Sequence, residues 1–163
     1  MKAIVLLPFA LALSVASWAQ SPGDHAHHPH AAPAAVSKAP PAEREAVEFP
    51  PRLKEEMLAN MREHLQSIQE ITALLADKKF DAAADVAETR LGMSSLERHG
   101  AHEVGKYMPL GMRQIGSGMH RGASQFAVVA QEAGATGDTG AALRALASVQ
   151  ASCVACHAAY RLK

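Results

Sequence analysis

The sequence predicts an all-α fold, an antiparallel up-down-up-down four-helix bundle, and three observations predict it. From Arg52 onward apolar residues recur at three- and four-residue steps, the period of an amphipathic helix. Breaks at residues 77–79, 100–109 and 134–140 divide that pattern into four segments. No stretch alternates apolar and polar residues as a half-buried strand would. Four helices joined by short connections make such a bundle.

The first helix is expected to open at Pro50-Pro51 and to close at Asp77-Lys78-Lys79. Its inner stripe reads Leu53, Met57, Met61, Leu65, Ile68, Thr72 and Leu75. Asp81 is the expected N-cap of a second helix, with Phe80 before it. Ala84, Ala87, Leu91 and Ser95 give that helix a face of small residues, and His99-Gly100 end it. "GAHEVGKYMP" reads as a loop, and Pro109 suits the first turn of a third helix. Met112, Ile115, Met119, Ala123, Phe126 and Ala130 form its stripe. Gly116, Gly118 and Gly122 each cost that helix about 1 kcal/mol relative to Ala, so they predict close approach by a helix or a ligand. Asp138 or Thr139 caps the last helix, whose inner side carries Leu143, Leu146, Val149, Cys153, His157 and Tyr160.

Residues 1–19 read as a cleaved secretory signal peptide. Lys2 precedes an apolar run, and Ser17-Trp18-Ala19 supplies small residues before the cut. That run is too short to span a bilayer comfortably, so no stable membrane insertion is expected. Residues 20–50, rich in Pro, Ala and His, read as a disordered linker. His25, His27, His28 and His30 lie within it; a weak metal-binding arm and a plain solvated tail are both open readings. Residues 51–163 form the folded domain. With Lys2 removed, 15 basic residues face 16 acidic ones, which gives no basic surface for nucleic acid. Aromatic residues are few, so a large apolar cofactor would help fill a core of Leu, Ile, Val, Met and Ala.

The chemistry is concentrated in "CVACHAAYR". At about 100° per residue, Cys153, Cys156 and His157 fall near 0°, 300° and 40° on one narrow face of a helix. Cys-x-x-Cys-His is the signature of covalent haem attachment, in which two thiols hold the ring and the histidine supplies the proximal iron ligand. A zinc site normally needs four ligands, and no second Cys-x-x-Cys pair exists. A thioredoxin-like pair belongs to an α/β fold. A disulfide across so short a loop would constrain little. The expected cofactor is therefore one covalent haem c with its iron.

A Cys-x-x-Cys-His-x-x-Tyr-Arg ending on the last of four helices resembles the cytochrome c′ family, the class II c-type cytochromes. The resemblance covers residues 50–163. It implies thioether links at Cys153 and Cys156 and the fifth iron ligand at His157. It also implies Arg161 one turn beyond, near the proximal face, with Tyr160 packed beside it. A solvated Arg161 that only complements the helix dipole is the alternative. Homodimers are frequent in that family, so a homodimer is one expected assembly.

The family's first helix supplies the distal residue, and here "EEMLANMREHL" offers Met57 and Met61, four apart on one face. A methionine sulfur with histidine favours electron transfer, whereas an open sixth position binds gases. Met61 is the first choice, on an alignment that places Leu65 and Ile68 in the core. Met57, His64 and no ligand are the alternatives, His120 could reach the haem edge, and His99 and His102 are expected to face solvent. The resulting expectation is a non-enzymatic electron carrier that meets redox partner proteins in the periplasm of a Gram-negative bacterium. The rival is a five-coordinate protein that binds nitric oxide or carbon monoxide. Two further rivals are a weak peroxidase or nitrite-handling activity and a metal-handling protein.

Overall fold

Pro50 and Pro51 start the first long helix of the computed structural model, which describes residues 43–163. The expected signal peptide, the His25–His30 cluster and most of the linker lie outside the described residues. The elements run β1 (Glu45–Val47), α1 (Pro51–Ala76), α2 (Phe80–Arg90), α3 (Ala101–Gly105), α4 (Leu110–Thr136), α5 (Thr139–Ala159) and β2 (Tyr160–Leu162). A 3-10 turn at Met93–Ser95 links α2 to α3. The described chain is all-α apart from the two short strands. No helix among the described residues is long and apolar enough to cross a membrane.

The helix ends follow local chemistry. Pro51 sits at the first position of α1, where its missing N–H costs nothing. α1 closes on a Schellman motif: Lys79 N–H donates to the Leu74 carbonyl at 2.8 Å and Lys78 N–H to that of Leu75 at 3.1 Å. Lys78 takes the left-handed conformation this requires, at φ 57°. Asp138 caps α5 as expected, its carboxylate accepting from Ala141 N–H at 2.9 Å. Asp81 does not cap α2; it lies inside the first turn, behind Lys79 at the cap position.

α4 packs on both α2 and α5, and α1 packs on α2. The larger apolar cluster joins these helices through Ile71, Leu75, Phe80, Leu91, Phe126 and Leu146. Each fully buried side chain of this size contributes about 1.5–3 kcal/mol. The expected face of the second helix is buried at Ala84 and Ala87, and Leu91 and Ser95 are buried just beyond its end. A second, smaller cluster gathers Val47, Phe49, Leu53, Met57, Val104 and Met112.

Several expectations are corrected. The buried line of α1 runs Leu53, Met57, His64, Ser67, Ile71, Leu75. Leu65 is 72% exposed and Thr72 faces solvent, because His64 and Ser67 take the inward positions. Leu143 is exposed, and Ala142 takes its place in the core. The second helix stops at Arg90 rather than at His99-Gly100, and the expected loop contains α3. A Cβ on Gly116 or Gly118 would meet nothing within 4 Å, so neither marks a close helix contact. The tight spots are Gly92, where a Cβ would come within 2.8 Å of the Glu88 backbone carbonyl, and Gly111, where it would come within 2.5 Å of the Tyr160 hydroxyl.

The sequence pattern predicts no strand, with the linker running to residue 50. Instead, Glu45–Val47 pairs in parallel with Tyr160–Leu162, in register Glu45 to Tyr160 and Val47 to Leu162. Lys163 N–H extends the ladder by donating to the Val47 carbonyl at 3.0 Å. Val47 and Phe49 are buried in the smaller cluster, which is what holds this segment down. The last helix therefore ends at Ala159, and Arg161 lies on a strand rather than one helical turn beyond His157.

Candidate functional site: one cavity lined by cysteine, methionine and histidine

A cavity of about 490 Å³ takes wall residues from both apolar clusters, Met57, Val104 and Met112 from the smaller and Met119 from the larger. α5 contributes Cys156 and His157, and β2 contributes Tyr160, Arg161 and Leu162. α1 contributes Met57, Met61 and His64. Five of the six residues singled out for haem binding thus share one cavity: Met57, Met61, Cys156, His157 and Arg161. The sixth, Cys153, lies one turn earlier and is half-buried against the larger cluster rather than on the cavity wall.

Both cysteines are free thiols. Burial pushes the thiols of Cys153 and Cys156 up, and the neighbouring Cys153 adds to the effect at Cys156. Each is therefore held as the protonated thiol at neutral pH. His157 is exposed along the cavity wall, and its backbone carbonyl, in the last turn of α5, accepts from Arg44 at 3.4 Å.

The methionines separate by burial. Met57 is 5% exposed and built into the smaller cluster, while Met61 is half-buried at its edge. The sequence reason for preferring Met61 fails, since Leu65 is not a core position. A different reason replaces it: the side chain at the cluster's edge can turn its sulfur into the cavity without unpacking the core. Met108, Met112 and Met119 also line the wall, so five of the chain's seven methionines are there. That thioether-rich surface is soft and adaptable, and no single methionine is picked out by composition alone.

Charge on the wall is one-sided. Arg44, Arg113 and Arg161 line the cavity, and among the described residues no Asp or Glu does. Arg161 is exposed on β2 and lines the cavity edge. Arg44 and Arg113 had no sequence signal, one lying in the expected linker and the other on the solvent side of a helical stripe. Guanidinium forks match carboxylates well, so this wall suits a ligand that is apolar in body and anionic at its edge.

The remaining polar group is a set of three histidines. His64 on α1, His99 in the turn before α3 and His120 on α4 all line the cavity. Their ring centres are 4.8 Å (64 to 99), 5.8 Å (64 to 120) and 5.9 Å (99 to 120) apart. His99 is 6% exposed, which corrects the expectation that it faces solvent; His102 is exposed as expected. Burial, with the nearby His99, His120 and Arg98, pushes His64 down to about 3. Burial also lowers His99, against the pull of the Glu63 carboxylate, and lowers His120, against its bond to the Leu91 carbonyl. All three are neutral imidazoles at pH 7 and offer lone pairs. Set against known protein families, curated proteins and solved structures, the chain matches none.

Proposed function

We propose that this protein is a c-type cytochrome of the cytochrome c′ kind, an exported carrier of single electrons between periplasmic redox partners. In this reading α1, α2, α4 and α5 are the four helices of an up-down-up-down bundle. Cys153 and Cys156 anchor one haem c, and His157 is the proximal iron ligand. When bound, the haem iron supplies reversible one-electron exchange. The chain's own residues hold and shield it. Met61 would offer its thioether to the iron, Met57 is buried in the smaller cluster, and Arg44, Arg113 and Arg161 would pair with the cofactor's carboxylates.

The observation that carries this reading is the shared cavity. Cys156 and His157 of the attachment signature and Met57 and Met61 of α1 line one apolar space with three arginines on its wall. Those residues are about a hundred positions apart in sequence, and the fold brings them to one site. No catalytic residue is assigned. A second reading has its own support: Met57 is packed as core, and if Met61 is core too the sixth position is open to nitric oxide or carbon monoxide.

Absorption spectra of the purified holoprotein, oxidised, reduced, and reduced under carbon monoxide, separate the two. A sharp split reduced spectrum that carbon monoxide leaves unchanged is expected for Met ligation. A broad spectrum that shifts with carbon monoxide would instead establish the gas-binding reading.

A further inference from the structure

The three cavity histidines have no task in the reading above. His64 Nε2 and His99 Nδ1 are 3.4 Å apart, at the long limit of a hydrogen bond. Three imidazoles on one tetrahedral ion, with metal–nitrogen distances of about 2.0–2.1 Å, place their nitrogens about 3.3 Å apart and their ring centres about 5 Å apart. The His64–His99 pair already has that spacing, and the ring separations of 4.8, 5.8 and 5.9 Å bracket the rest. Among the described residues no three His, Cys, Asp or Glu side chains already converge on one point. The His64–His99 pair has the spacing, and a metal ion would require the His120 ring, 5.8 and 5.9 Å from the other two, to close on them about its bond to the Leu91 carbonyl.

The outer nitrogens support this. His120 Nδ1 donates to the Leu91 carbonyl at 2.7 Å, which leaves its Nε2 lone pair free. His99 Nε2 is buried without a hydrogen-bond partner, 3.5 Å from Glu63 Oε2. Glu63 is itself held by Arg98 at 3.1 Å. A backbone carbonyl or a carboxylate behind the far nitrogen is the outer shell that orients metal-bound histidines.

We propose that His64 Nε2, His99 Nδ1 and His120 Nε2 form a binding site for one first-row transition-metal ion of borderline softness, Zn²⁺ being the type case. Glu63 and the Leu91 carbonyl are its positioning groups. Three neutral nitrogen donors suit such an ion and leave its fourth position open to water or a small ligand from the cavity. The site stands on the histidines alone and does not depend on the haem reading.

The test is zinc stoichiometry by elemental analysis after equilibrium dialysis of the full-length holoprotein. It is run in a background where His25, His27, His28 and His30 are replaced by Ala, so that the N-terminal arm does not contribute. The expected result is one zinc per chain, lost in His99→Ala and in His120→Asn, the latter keeping an amide donor where Nδ1 meets the Leu91 carbonyl. Glu63→Gln should weaken binding by about 10–100-fold. Helicity by circular dichroism shows that each variant is folded. Equal zinc content in the parent and in both folded variants would overturn the site. So would a haem spectrum that changes in His64→Ala while zinc binding does not, since His64 would then belong to the iron.

Discussion

His64 Nε2 lies 3.4 Å from His99 Nδ1 inside the fold, with α1 supplying one ring and the turn before α3 the other. Neither imidazole can take up a proton there cheaply. Both are shielded from water and face another imidazole and the Arg98 guanidinium, which at His99 outweigh the opposing pull of the Glu63 carboxylate. The cavity thus carries neutral histidines on its wall.

Acid should therefore destabilise the fold well above the carboxylate range. A histidine whose folded pKa is depressed contributes stability fully above its unfolded value near 6.5, and loses it as pH falls toward the folded value. With His64 at about 3, the loss at pH 5 relative to pH 8 is about 2 kcal/mol from this residue alone. Urea midpoints at the two pH values measure it, and His64→Gln should flatten the difference. An unchanged midpoint would mean that His64 titrates normally.

Met57 and Met61 should answer differently to truncation. Met57→Ala removes a buried side chain and should cost about 2–5 kcal/mol in a denaturant melt while leaving the spin state alone. Met61→Ala should cost less stability and convert a low-spin haem spectrum to high-spin. If Met57→Ala changes the spin state instead, the distal ligand is one turn earlier than assigned.

The segment before α1 should behave as core. Phe49 is 6% exposed and sits with Val47, Leu53 and Met57. Phe49→Ala should lower stability by about 3–5 kcal/mol, whereas in a disordered linker it would do almost nothing.

Lys78 closes α1 in a left-handed conformation that a side chain adopts at a cost. Lys78→Gly should raise stability by about 1 kcal/mol, read as a higher thermal midpoint. A drop would show that the loss of chain entropy at glycine outweighs the relief.

What the sequence made legible was short-ranged. The Asp138 cap, the Pro51 start and the buried face of α2 at Ala84 and Ala87 depend on neighbours within a turn or two and lie where the pattern predicts, while Leu91 and Ser95 are buried beyond the end of that helix. Of the signature residues, Cys156 and His157 share the cavity wall as their neighbouring positions on one helix face predict, whereas Cys153, one turn earlier, packs against the larger cluster. The inner line of α1 was misread because His64 and Ser67 are polar and an apolar pattern passes over them in favour of Leu65. The strand pair was invisible, since three residues carry no period and the partners stand at the two ends of the described chain. His99 was missed for the same reason: only the packed fold brings a turn histidine against α1 and α4.

The most direct test of the account is the intact mass of the purified protein under denaturing conditions, after acid–acetone extraction of loose haem. The account predicts a mature chain carrying the mass of one haem that extraction does not remove, and no such mass in the Cys153→Ala, Cys156→Ala double variant. A chain at its bare mass, or haem that is extracted or that persists in the double variant, would contradict it.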